Sequence, residues 1–170
     1  MITRCNLDDI PVIRRIANVA FRHTYRNILS GEQMEYMMNW MYSEESLTHQ
    51  IRDDGHQFFL ADADGEPVGY ASVSTDAEHI YHLQKLYVLP LYQGKGIGKQ
   101  LLTAAVDYLR SQDPEPFSLE LNVNRNNRAV GFYRSQGLEI LRQGDFPIGG
   151  GFYMNDYIMG LQVPALMDDE

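Results

Sequence analysis

Gln93-Gly94-Lys95-Gly96-Ile97-Gly98-Lys99 holds three glycines and two lysines in seven residues, ahead of an apolar helical stripe at Ile97, Leu101, Leu102, Ala105, Val106 and Leu109. Backbone N–H groups left unpaired at a helix start, with the positive end of the helix dipole behind them, bind phosphate. Glycine lets the main chain come close to such a ligand because no Cβ intervenes. Three phosphate-binding patterns compete for the stretch. The dinucleotide fingerprint G-x-G-x-x-G needs its third glycine one place later than Gly98. The P-loop G-x-x-x-x-G-K-[ST] finds Gly98-Lys99, but Gln100 replaces the hydroxyl residue and Gln93 stands where the first glycine belongs. Only Q/R-x-x-G-x-G/A is met at every fixed position.

A second motif lies about thirty residues on, with one strand between. Asn126-Asn127-Arg128-Ala129-Val130-Gly131-Phe132-Tyr133-Arg134-Ser135-Gln136-Gly137-Leu138 resembles the N-x-x-A-x-x-F-Y-x-x-x-G-F signature, with Leu138 for the usual Phe. The two motifs, with Leu86-Tyr87-Val88-Leu89-Pro90 upstream as a fourth-strand segment, are similar to the GCN5-related N-acetyltransferase (GNAT) superfamily. The similarity covers roughly 55–160 well and the first 50 residues loosely. Ala20–Tyr25 and Ile148–Tyr157 resemble a bacterial branch in which some members acetylate polyamines. If 126–136 is helical, Asn126, Ala129 and Tyr133 share one face, Gly137 ends the helix, and Phe132 is core.

The resemblance implies acetyl transfer from acetyl-CoA, as cosubstrate, to a primary amine of a small acceptor, by direct attack in a ternary complex and without a metal. It implies that Leu86, Tyr87 and Val88 bind pantetheine, that Gln93, Gly94, Lys95, Gly96, Ile97, Gly98 and Lys99 hold the pyrophosphate, and that Asn126 bonds the pantetheine arm. Tyr133 takes the position of the family's sulfur acid. A phenol, with an ordinary pKa near 10, can donate to a thiolate at neutral pH. The base is open between His82, eleven residues before Gln93 where several branches place a carboxylate, and a chain of waters; His79 and Glu78 are weaker candidates. On a regular strand 82, 84, 86 and 88 share a face. The acceptor pocket is expected among the first two helices and the loop before the last strand, with Phe21, Tyr25 and Tyr153 in its wall, and His23, Trp40 and Phe146 near them. Peptide or protein amines, and a non-catalytic acyl-CoA sensor, are the alternatives; an intact Tyr133 argues against the sensor.

These residues need a scaffold, and the patterning supplies one. A strand over 2–6 precedes a helix entered at Asp8-Asp9-Ile10-Pro11, with Ile10, Ile13, Ile16, Ala17 and Ala20 at helical spacing. Ser30-Gly31-Glu32-Gln33 reads as a capping box before a helix striped by Met34, Met37, Met38 and Met41. A short helix follows over 43–52. Strands are expected at Gln57–Ala61 and Val68–Ser74, joined by the turn chemistry of Asp62–Glu66, and at His79–Leu89, where Pro90 stops the strand. A helix over 96–111, a strand at Phe117–Val123, the helix over 126–136, and strands at 138–143 and Phe152–Leu161 complete the order. This is a mixed α/β (α+β) chain. The family's fold would be a mostly antiparallel twisted sheet of six to seven strands with about four helices, strands four and five splayed. One domain spans 1–163, with a loose acidic tail at 164–170.

Composition narrows the classes of function. The chain has 170 residues, 44% hydrophobic and 22% charged, which fits a globular domain. Fourteen basic against 23 acidic side chains leave −9, opposite to the basic surface that nucleic acid requires; no nucleic-acid partner is expected, and a cationic acceptor is mildly favoured. A single cysteine, Cys5, excludes an intrachain disulfide. No apolar run reaches the roughly 20 residues of a membrane span, and residues 1–6 show no leader-like apolar stretch. The expectation is a cytoplasmic protein with no membrane partner. A homodimer through aromatics near the last strand is compatible with the sequence.

Overall fold

The computed structural model describes residues 1–166. Fourteen elements follow one another: β1 (Ile2–Arg4), a 3₁₀ turn (Leu7–Asp9), α1 (Ile10–Tyr25), α2 (Gly31–Tyr42), α3 (Glu44–Arg52), β2 (Gln57–Ala63), β3 (Glu66–Ala77), β4 (Ile80–Val88), a second 3₁₀ turn (Pro90–Tyr92), α4 (Ile97–Gln112), β5 (Phe117–Asn124), α5 (Ala129–Ser135), β6 (Glu139–Gly149) and β7 (Phe152–Val163). The seven strands form one sheet in the order β1-β2-β3-β4-β5-β7-β6. Every neighbouring pair is antiparallel except β4 and β5. The acidic tail beyond Leu166 lies outside the described residues.

Alternation along the strands sends successive side chains to opposite faces. Phe58, Leu60 and Tyr70 pack with Ile13, Ile16, Ala17 and Phe21 of α1 on one face. Phe59, Ala61, Ala71 and Leu83 pack with Leu101, Leu102, Ala105 and Leu109 of α4 on the other. Phe21, Leu101 and Leu119 are at most 1% exposed, and each such burial contributes roughly 1.5–3 kcal/mol. No helix among the described residues is long and apolar enough to cross a membrane.

Three local expectations need correction. The acidic pair Asp8-Asp9 does not cap α1 directly. Asn6 and Asp9 instead form a reciprocal box around the 3₁₀ turn, Asn6 Oδ1 accepting from Asp8 N at 2.8 Å and Asp9 Oδ2 from Asn6 N at 2.9 Å. At α2, Ser30 Oγ caps Gln33 N at 3.1 Å, but the Gln33 side chain donates to the Tyr153 carbonyl at 2.8 Å, tying α2 to β7. Finally, α5 begins at Ala129 rather than 126. Asn124 Oδ1 accepts from Asn126 N and Asn127 Oδ1 from Ala129 N, both at 2.9 Å, so two side-chain turns take up amides that a longer helix would use. Asn126 therefore does not share a helix face with Ala129 and Tyr133. Gly137, at φ +94°, does end the helix in the left-handed region.

Candidate active site

β4 and β5 pair only from Ile80↔Ser118 to Leu83↔Leu121. Beyond that, β4 stays with β3 as far as Val88 and β5 stays with β7 as far as Asn124. The two strands part, and a slot of about 830 Å³ opens between them. Of the residues singled out for CoA binding, all but Lys95 line it. The Lys95 ammonium lies 5.4 Å over the Tyr92 ring instead. At the mouth of the slot, Gly94 and Gly96 adopt φ of +77° and +82°, a conformation that other residues rarely hold. That path turns the chain into α4. Among the described residues, the amides of Gly94 to Lys99 have no hydrogen-bond acceptor. A run of free N–H groups at the start of a 16-residue helix is what a diphosphate requires. Gln93 Nε2 donates to the Val88 carbonyl at 3.1 Å, bracing the loop against the strand end.

Deeper in the slot stands Tyr133, buried on α5. Burial, reinforced by Tyr25, pushes its phenol well above the ordinary value, so the hydroxyl stays protonated at neutral pH. Phe132, expected in the core, is half-buried against Gly98 and also lines the slot.

A second cavity, of about 500 Å³, lies on the α1–α3 side. Of the residues expected in the acceptor wall, Phe21, Tyr25, Trp40 and Tyr153 line this cavity, His23 lines the slot instead and Phe146 lines neither; His82, the candidate base, also lines this cavity. The methionine stripe is half core and half wall: Met34 and Met37 are buried, and Met37 and Met41 also face the cavity. Tyr25, Gln84, Lys85, Tyr87 and Asn122 line both spaces, which therefore meet between the parted strands. Tyr25 Oη lies 3.2 Å from Tyr87 Oη and accepts from Asn127 Nδ2 at 3.3 Å.

The face expected for β4 is corrected by a bulge. Ser72 pairs with Lys85 and Val73 with Leu83, leaving Gln84 as an extra residue. The phase of the strand changes there. His82, Lys85 and Tyr87 point to the α1–α3 side, whereas Leu83, Leu86 and Val88 pack on the α4 side. His82 Nδ1 bonds Asp76 Oδ2 at 3.1 Å. His79 is held by Asp113 at 2.6 Å and faces neither cavity.

Two buried ionisable groups in this second cavity were not singled out from the sequence. Lys85 Nζ donates to Gln50 Oε1 at 2.6 Å and sits over the Tyr42 and Phe58 rings; burial pulls its pKa down to about 7. Burial pushes the Asp156 carboxyl up to about 6, against smaller opposing effects of Asn122 and Arg125. A charged residue at an inward position of β7, in phase with Met154 and Ile158, was the available signal. Cys5 faces neither cavity, and burial lifts its thiol to about 12, far from the range of a nucleophile.

Comparisons with known proteins agree with this geometry. The family model described as "Acetyltransferase (GNAT) domain" matches residues 26–143. Spermidine N(1)-acetyltransferase of Thermoplasma acidophilum is 29% identical, with 82% of this chain and 88% of that protein covered. An uncharacterized N-acetyltransferase of Archaeoglobus fulgidus is 30% identical over 81% of this chain and 91% of its own length. Among solved structures, the PaiA N-acetyltransferase of Thermoplasma acidophilum in complex with coenzyme A superposes with a TM-score of 0.79 at 25% identity, covering 96% of this chain and 99% of that one. A free-amide cradle, a slot between parted strands and a family match over more than half of the sequence lead to one conclusion: the chain belongs to the GNAT acetyltransferase family and is an acetyl-CoA-dependent N-acetyltransferase.

Proposed function

We propose that the protein acetylates a primary amine of a small molecule, by direct attack on acetyl-CoA while both substrates are bound. The observation that carries this is the meeting of the two cavities at Tyr25, Gln84, Lys85, Tyr87 and Asn122. An acyl chain entering by the slot and an amine entering from the α1–α3 side arrive at the same floor. In this reading the amides of Gly94 to Lys99 hold the diphosphate, with Lys99 beside them. Beyond Leu83, the edge of β4 that faces β5 has no strand to pair with. Apart from the Val88 carbonyl, which Gln93 occupies, the backbone groups on that edge between Leu86 and Val88 are free to bond pantetheine and to polarise the thioester carbonyl. The amine nitrogen forms the new N–C bond, the C–S bond breaks, and sulfur leaves as a thiolate that Tyr133 protonates. No acyl-enzyme is needed, which agrees with the inert setting of Cys5. His82, oriented by Asp76, and a relay of waters are the two routes that the sequence leaves open for the amine proton.

A small acceptor suits a cavity walled by three helices and β7. A cationic one suits the overall charge of −9 and the buried Asp156, and the spermidine acetyltransferase among the relatives points the same way. The test is free-thiol release from acetyl-CoA across polyamines, amino-sugars, amino acids and short peptides. Release with a small aliphatic amine is expected. Release with peptides alone would overturn the small-molecule reading. Saturable CoA binding with no amine-dependent release would make the protein an acyl-CoA sensor.

A further inference from the structure

Asp156 is 3% exposed and faces the acceptor cavity from β7. Its single side-chain hydrogen bond among the described residues is a long one, 3.3 Å from Asn122 Nδ2 to Oδ2. Asn122 lines both cavities, which places the carboxylate beside their junction. Tyr25, common to both as well, feels its charge. An ionised carboxylate offers about four acceptor sites, so Asp156 is under-satisfied for a buried anion. The nearest cation does not relieve it. Arg125 gives Nη2 to Asp145 at 2.7 Å, and Nη1 reaches the main-chain carbonyls of Gly144 and Asp156 at 3.1 and 3.5 Å. A buried carboxylate is costly unless a partner arrives, and at a substrate cavity the fitting partner is a ligand ammonium.

We infer that Asp156 is a catalytic residue: it receives the protonated acceptor amine and takes one proton from it, releasing the neutral nucleophile at the junction of the two cavities. The inference rests on the acetyl-transfer reading above. The N–H bond breaks with its electron pair left on nitrogen, and the proton goes to a carboxylate oxygen of Asp156. Nitrogen then attacks the thioester carbonyl. The second proton that nitrogen loses matches the one that sulfur gains, and Asp156 returns its own to solvent before the next cycle.

The surroundings suit that transfer. An aliphatic amine in water holds its proton to above 10, far beyond an ordinary carboxylate. Lys85 shows what this cavity does to an alkylamine, since burial brings it to about 7, while Asp156 rises to about 6. The mismatch narrows because burial disfavours both charged forms. The groups around Asp156 are Tyr25 from α1, Asn122 and Asn124 from β5, and Arg125 from the adjoining turn, itself paired with Asp145 of β6. His82, whose Nδ1 is bonded to Asp76, lines the same cavity and is the competing proton acceptor, so the test separates the two.

The test compares Asp156→Asn and His82→Gln with the wild type on two probes, spermidine and an O-alkylhydroxylamine of matched length that is uncharged at neutral pH. Asp156→Asn should lower kcat/KM for spermidine by about 100-fold or more, lower it less than about ten-fold for the hydroxylamine, and leave CoA affinity by calorimetry unchanged. For the wild type with spermidine, kcat/KM should rise with pH through about 6, the value of Asp156. That limb should persist in His82→Gln and vanish in Asp156→Asn. Equal loss with both probes would mean a structural role and overturn the inference, as would wild-type rates in Asp156→Asn. Should Asp156→Asn fail to bind CoA, the wild type decides: the limb must be present with spermidine and absent with the hydroxylamine. Wild-type enzyme that releases thiol with no amine would overturn the acetyl-transfer reading itself, and the inference with it.

Discussion

Tyr133 and Lys85 are both buried, but burial acts on them in opposite senses. A phenol is neutral when protonated, so burial keeps the Tyr133 proton in place and leaves a donor aimed into the slot. Tyr133→Phe removes that donor and little else. Turnover should fall about 100-fold with CoA affinity unchanged, measured by thiol release beside calorimetry; unchanged turnover would remove Tyr133 from the chemistry. Lys85 is charged when protonated, so burial costs it the proton. Folded, it releases its proton near 7; unfolded, it holds the proton to about 10.4. Between these values the unfolded chain binds more protons, so this residue's contribution to stability rises with pH across that window. Below 7 the full cost is present. Lys85→Met should therefore stabilise the fold near pH 6 by roughly 1–3 kcal/mol, after about 1 kcal/mol or more is lost at the unpartnered Gln50 oxygen. The gain should shrink as pH approaches 10, in thermal melts at pH 6 and pH 9.5; a gain independent of pH would contradict the assignment. Of these residues the sequence singled out only Tyr133, because its motif neighbours are contiguous. Lys85 and Asp156 owe their character to burial among neighbours that only the folded chain brings near.

At the level of elements, position follows from strands that part and from one that slips. The order of strands and helices was legible because hydrophobic spacing switches cleanly between periods of about two and 3.6. The Gln84 bulge was not, since an extra residue leaves composition unchanged while reversing which side chains face which layer. β6 ran longer than expected for a related reason: it is the sheet edge, mostly exposed on both faces, so little apolar alternation marks it. Gly69 tests how closely β4 is held. A Cβ there would lie 2.9 Å from the Tyr87 carbonyl oxygen and 3.3 Å from a Leu101 methyl. Gly69→Ala should push β4 outward where the two cavities meet, costing about 1–3 kcal/mol of stability. Turnover should fall about ten-fold through misplacement of the reacting groups, although Gly69 lines neither cavity. Melting and thiol release check both effects, and wild-type turnover would show that the strand tolerates the shift.

For the molecule as a whole, an anionic protein must bind an anionic cosubstrate. With a net charge of −9, long-range attraction does not favour CoA. The favourable field has to be local, from the free amides of Gly94 to Lys99, the α4 dipole and Lys99. On the proposed reading, much of the recognition lies at the diphosphate, and transfer depends on two cavities that share lining residues. The most direct measurement is calorimetric titration of the wild-type protein with CoA and, in parallel, with pantetheine, which lacks the diphosphate and the 3′-phosphoadenosine beyond it. Saturable CoA binding is predicted, with pantetheine at least about ten-fold weaker, the loss expected when charge-assisted hydrogen bonds to a phosphate disappear. Equal affinities for the two, or no saturation with CoA, would contradict the account.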